Sequence, residues 1–200
     1  MVDTVHMPDH PTRAALVRAG VELLEETGSA DVGLREIARR AGVSHGAPRR
    51  WFPTHRSLLS AVAAVGLGDL AAVVTSAADG SRAPVRDAAL AYIAFAVDRP
   101  AMFTLVFRHD LLDGGGSDLR ATSQPLMEWF RDLVDVPDQG DREIRAATLW
   151  TSVHGIAVLA STGALALASP TTVPADLVDA AIASTVAGTR RSDQAGPLRT

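Results

Sequence analysis

The chain has 200 residues, 47% of them apolar, which suits one or two compact units with a buried core and excludes a disordered protein. Aromatics are only 4% and Cys is absent, so the core falls to Ala, Leu and Val, and disulfides, thiolate metal sites and cysteine nucleophiles are excluded. All 19 basic residues are Arg, and the formal charge of −4 confines any nucleic-acid surface to a local patch.

In chain order, residues 1–11 carry acids and prolines but neither a basic nor an apolar signal region, and read as a disordered tail. From Thr12 to Glu26, Leu16, Ala19, Leu23 and Leu24 recur at helical spacing, and Gly28 is placed to close the helix in a left-handed cap. A second helix reads Leu34, Ile37, Ala38 and Ala41, with Gly33 at its N-cap and Glu36 placed to complete half of a capping box. Gly42 permits a sharp turn, Ser44 can cap a third helix over 45–52, and Thr54 a fourth from His55 to about residue 77. Further helices are predicted at about 85–98, 100–109, 118–134, 141–168 and 175–188, with a disordered tail over 190–200. No strand alternation appears, so the fold class is all-α. The uncharged stretch Ala146–Pro174 is long enough to span a bilayer, but its Ala, Ser, Thr and Gly content favours a helix buried in protein. The expected location is cytoplasmic.

Two short helices joined by a Gly-containing turn form a helix-turn-helix pattern, whose second member must offer a face free of large apolar side chains to the major groove. His45, Gly46, Ala47, Arg49 and Arg50 provide one, with small residues for close approach and Arg for guanine or phosphate. Between Leu34 and Arg56 six Arg face one acid, Glu36, a local balance of +5. Thr54 and His55 add a helix N-terminus where a phosphate can bind. The bland alternative is a solvated Arg-rich hairpin.

Residues from about 12 to 62, above all the run from Leu34 to Pro48, resemble the N-terminal domain of TetR-family transcriptional regulators. The resemblance implies DNA contacts by Arg13, Gly33, Arg35, Ser44, His45, Gly46, Ala47, Arg49, Arg50, Trp51, Thr54 and His55. Three positions depart from the family pattern. Arg49-Arg50-Trp51-Phe52 replaces the usual Tyr-x-His-Phe ending, His55 stands where a Lys usually opens the fourth helix, and Gly33 lacks a capping hydroxyl. These departures touch phosphate clamping rather than fold.

Beyond Leu67 no residues form a catalytic constellation, and no enzyme activity, cofactor or metal is expected. His6 and His10 have metal-pair spacing without partner ligands, and His109-Asp110 reads as a helix end. The large side chains Tyr92, Phe95, Met102, Phe103, Phe107, Met127, Trp129, Phe130 and Trp150 lie between residues 90 and 150. They can be core packing or, with His154 one helical turn from Trp150, the lining of a small-molecule cavity. The run Leu149 to Ile156 is similar to the Trp-His-Gly signature of one C-terminal domain type in TetR-like regulators. That likeness implies an effector-binding and homodimerisation domain, with the last two long helices pairing across the dimer. The expected organisation is a three-helix reading domain over 12–60, joined by a long helix to a helical sensor over 61–189. The expected function is a dimeric repressor of a pseudo-palindromic operator, released by a small-molecule effector. A helical dimer that binds a small molecule or protein without DNA is the alternative.

Overall fold

The structure is a computed structural model that describes residues 11–29, 32–108, 115–134 and 139–187. The two tails, His6 and His10, and His109-Asp110 lie outside the described residues, apart from Pro11. The described residues are helical and form no strand: α1 Pro11–Thr27, α2 Leu34–Arg40, α3 Ala47–Trp51, α4 His55–Ala78, α5 Pro84–Asp98, α6 Pro100–Val106, α7 Arg120–Leu133, α8 Gln139–Ser161, α9 Ala164–Ala168 and α10 Pro174–Ala187. They divide into two compact units. One comprises residues up to Gly68 with Ala101–Thr122, the other Asp69–Pro100 with the chain from Ser123 onward.

In the first unit, α1 buries the stripe Leu16, Ala19, Gly20, Leu23 and Leu24, and Ile37, Phe52, Leu58 and Val62 close the core around it. Gly20 is small for a reason: a Cβ there would sit 2.7 Å from Val62 Cγ2, so the Val62 side chain of α4 packs directly on the α1 backbone. Gly66 plays the same part for α6, since its Cβ would collide with the Met102 thioether. That contact is why residues from Ala101 pack with the first unit.

Three sequence expectations are corrected. Helix three begins at Ala47, not His45, and Gly46 rather than Ser44 is its N-cap. Pro48 explains this: in a helix starting at residue 45 its ring would clash with the Ser44 carbonyl and its missing N–H would lose a helical bond, whereas in the first turn neither matters. The Ala47 amide instead donates to the Ser44 carbonyl at 3.0 Å, forming a turn ahead of the helix. Glu36 does not cap α2, which has no side-chain cap, and pairs with Arg39 at 3.7 Å. The helix expected over 141–168 is two, because Gly163 adopts φ 74° and the chain restarts as α9. The uncharged stretch tested for membrane length is thus broken. The described helix long and apolar enough to span a bilayer is α4, and more than half of its most apolar window is buried in the protein.

In the second unit α8 packs on α5 and α10 through Ala146, Leu149, Val153 and Ala157. Sequence reading overlooked Arg145, buried beside this apolar set, whose guanidinium donates to the Thr185 carbonyl at 2.5 Å in the last turn of α10. A cation at a helix C-terminus answers the exposed carbonyls and dipole there. Arg145→Ala is therefore expected to destabilise the fold by about 2 kcal/mol, the loss of a charge-assisted hydrogen bond. Chemical denaturation checks this, and an unchanged midpoint would contradict it. Arg86 holds the N-terminal half of the same helix by donating to both Asp179 carboxylate oxygens at 2.7 and 3.2 Å, which keeps that carboxyl below its ordinary range.

Candidate nucleic-acid interface and ligand-recognition cluster

The turn between α2 and α3 is built by backbone chemistry. Gly42 takes φ 68°, the Val43 amide donates to the Ala38 carbonyl at 3.0 Å, and the Gly42 amide to the Arg39 carbonyl at 3.2 Å. This double bond pattern past a left-handed residue is a Schellman motif, which a side chain at position 42 would strain by about 1–2 kcal/mol. It turns the chain so that Pro48 drops into the core, completely buried, while Ser44, His45, Gly46, Arg49 and Arg50 stay exposed. Pro48 anchors one side of α3 and leaves the other to solvent. Phe52, at its end, is buried, and the Arg13 guanidinium lies 5.4 Å over its ring.

Spatial neighbours revise the charge count. Arg40 donates to both Glu26 carboxylate oxygens, at 2.7 and 2.5 Å, and approaches Glu22 at 3.7 Å, so α1 neutralises it. Arg39 is shared with Glu36. Arg35, Arg49 and Arg50 are exposed and enter no ion pair among the described residues. Counting along the chain could not show that Glu22 and Glu26 return to Arg40.

The N-terminus of α4 also differs from expectation. Thr54 and Ser57 cap it reciprocally: the Ser57 amide donates to Thr54 Oγ1 at 3.0 Å, and the Thr54 amide to Ser57 Oγ at 3.2 Å. The Thr54 amide is therefore engaged rather than open to a phosphate. His55 is half-buried, and its Nε2–H donates to the Val32 carbonyl at 2.6 Å, tying the imidazole to the segment ahead of α2. Gly33 and Arg35 lie beside that segment on the exposed start of α2, and Trp51 is half-buried at the end of α3.

In the second unit, three expected ligand residues meet. Tyr92 Oη lies 2.8 Å from His154 Nδ1, and the Trp150 ring stacks on His154 at 5.5 Å. Tyr92 and His154 thus share one hydrogen bond beside the Trp150 ring. Burial pushes the Tyr92 hydroxyl above its ordinary range and the His154 imidazolium below 6.5, so both are neutral near pH 7.

The remaining candidates lie elsewhere. Phe95 is buried under the Arg99 guanidinium, Met102 is packed on Gly66, and Phe103 pairs with Phe107 at 4.9 Å in the first unit. Met127, Trp129 and Phe130 sit half-buried on α7, where Trp129 faces a groove of about 670 Å³ at the end of α4, beside Thr75 and Asp79.

Because folded His154 has a depressed pKa, the stability it carries is full above 6.5 and is lost as pH falls toward that lowered value. The thermal midpoint is expected to decline between pH 7 and 5, with a smaller decline in His154→Gln. An identical pH profile in the two proteins would contradict this.

A helix-turn-helix with an exposed Arg-bearing second helix, on an otherwise helical chain, defines a DNA-binding transcriptional regulator. Comparison supplies the family. The model described as bacterial regulatory proteins, tetR family, matches residues 16–62, and that described as tetracyclin repressor-like, C-terminal domain, matches residues 85–185. The chain belongs to the TetR family. A search of curated proteins finds no match. Among solved structures, a protein of unknown function from Rhodococcus sp. RHA1 is 27% identical with a TM-score of 0.72, over 94% of this chain and 98% of its own. A TetR-like transcriptional regulator from the same organism shares the fold at 16% identity and a TM-score of 0.66, covering 92% of this chain and all of the other. The TetR-like regulator LfrR from Mycobacterium smegmatis, solved in complex with proflavine, shares it at 21% identity and a TM-score of 0.54, covering 90% and 97%.

Proposed function

We propose that the protein is a ligand-responsive repressor that binds a pseudo-palindromic operator as a homodimer. The observation that carries the DNA part is α3: buried Pro48 holds it down while His45, Gly46, Arg49 and Arg50 face solvent without an opposing acid among the described residues. In this reading residues 12–60 are the reading domain and 61–189 the sensor. Ser44 to Ala47 meet base edges, Arg13, Arg35, Arg49 and Arg50 neutralise phosphates, and Trp51, Gly33 and the capped Thr54 support them. His55 serves as a brace through Val32 rather than as a cation.

The dimer rests on the outer face of α8. Ile144, Ala147, Thr148, Thr151, Val158 and Leu159, with Thr162 just past its end, form one exposed, uncharged stripe there. Its hydroxyls turn back on their own helix: Thr148 donates to the Ile144 carbonyl at 2.8 Å, Thr151 to Thr148 at 2.9 Å and Thr162 to Val158 at 2.9 Å. Bonded this way, the threonines present methyl groups and lose little on burial. Such a stripe is costly to leave in water and matches itself across a two-fold axis. Two α3 helices would then lie roughly 34–36 Å apart, one turn of duplex.

The effector reading rests on the Tyr92–Trp150–His154 cluster, where a phenol hydroxyl, an imidazole and an indole ring meet. Because α4 carries residues of both units, a ligand that prefers one setting of this helix changes operator affinity. Coupling of about 1–3 kcal/mol corresponds to roughly 5–150-fold. The experiment that tests the DNA reading is duplex binding with Arg49 and Arg50 reversed in charge.

A further inference from the structure

The second unit carries a groove that the effector reading does not use. It has a volume of about 670 Å³ and lies between the C-terminus of α4 and the last turns of α7. Ala72 and Leu133 give it apolar walls, Trp129 an indole ring, and Thr75, Ser76 and Asp79 its polar groups. All six belong to the second unit. The volume falls within the range of about 300–1,000 Å³ common for small-molecule sites.

The chemistry of the lining selects a cation. Asp79 is exposed and enters no ion pair among the described residues, so its carboxylate is open to a ligand. Positions 72, 75, 76 and 79 share one helical face, which sets that carboxylate beside both hydroxyls. Thr75 gives its hydroxyl proton to the Ala71 carbonyl at 2.8 Å, so toward the groove its oxygen can only accept. The last turn of α4 carries no basic side chain, so its own sequence leaves the negative end of a 24-residue helix dipole uncompensated here. Trp129 adds an indole, whose ring face attracts positive charge. Arg131, the base between Trp129 and Leu133 in the chain, is held by Glu143 of α8 at 3.1 Å. Acceptors, a carboxylate and an aromatic face together ask for N–H donors that carry charge.

We propose that this groove binds a primary alkylammonium ion. Its N–H groups donate to the Asp79 carboxylate and the Thr75 hydroxyl oxygen, its charge lies beside the Trp129 ring, and its chain runs along Ala72 and Leu133. The groove shares no residue with the Tyr92–Trp150–His154 cluster, and the claim stands whether or not that cluster takes an effector.

Calorimetry with n-hexylammonium chloride and the full-length protein tests it, at about pH 7, where an alkylamine is charged. One saturable site per protomer is expected. Asp79→Asn keeps the side chain's size but removes its charge, and should weaken binding by about 10–100-fold, as for loss of a charge-assisted pair. Ser76→Arg should weaken it at least as much, because it puts a resident cation into the groove. Both positions are exposed, and an unchanged thermal midpoint verifies that the variants fold. His154→Gln should bind hexylammonium as the parent does, and hexanoate should show no saturable binding. The proposal is overturned if hexylammonium does not saturate, if either groove variant binds it as the parent does, if hexanoate binds equally well, or if His154→Gln abolishes binding.

Discussion

Reversing both charges in Arg49→Glu/Arg50→Glu is expected to lower affinity for operator duplex at least about 100-fold, each lost charged hydrogen bond being worth about 1.5–3 kcal/mol. The fold should not notice. Both side chains are exposed, and the core contacts of α3 belong to Pro48 and Phe52. In a dimer the double substitution places four new carboxylates against phosphates, so repulsion adds to the lost attraction. Fluorescence anisotropy with a labelled duplex from immediately upstream of the gene measures the loss, and circular dichroism verifies the helices. Parental affinity in a folded double variant would show that another surface meets the DNA.

The second large effect concerns assembly. Leu159→Glu puts a carboxylate into the uncharged stripe, in the last turn of α8, at a position 43% exposed in the single chain. The isolated subunit tolerates it, because the side chain already reaches water. A two-fold interface does not: it would bring two carboxylates into one desolvated patch, and an unpaired buried charge costs several kcal/mol. The expected result is a monomer at micromolar concentration by sedimentation, with operator binding lost because two reading helices no longer act together. If Leu159→Glu sediments as the parent does, the stripe is not the dimer surface. If the parent is itself monomeric, the proposed assembly fails.

Much of this architecture was legible in the sequence because periodicity and punctuation agree. Leu16, Leu23 and Ile37 are fully buried as their spacing implied, and Gly28 and Gly42 adopt the left-handed conformations their positions called for. The misplaced elements share a cause: one residue with a backbone effect outweighed a run of permissive neighbours. Pro48 moved the start of α3 by two residues, and Gly163 broke a stretch whose composition reads as continuous helix. Interactions across space were beyond reach. The Arg40–Glu26 pair, the Arg145–Thr185 bond and the His55–Val32 brace join residues separated by 14, 40 and 23 positions, and nothing in local spacing marks them. The ligand candidates show the limit from the other side. Scarcity of large side chains drew attention to ten residues, but only Tyr92, Trp150 and His154 form one polar cluster, while Met102 is used to pack against Gly66.

The salt dependence of duplex binding tests the central claim most directly. Arg13, Arg35, Arg49 and Arg50 on each of two protomers displace about eight counterions, so log affinity against log salt concentration should be linear with a slope of about −7. A slope near zero would contradict the account, because the exposed arginines around α3 would then not be meeting the phosphate backbone.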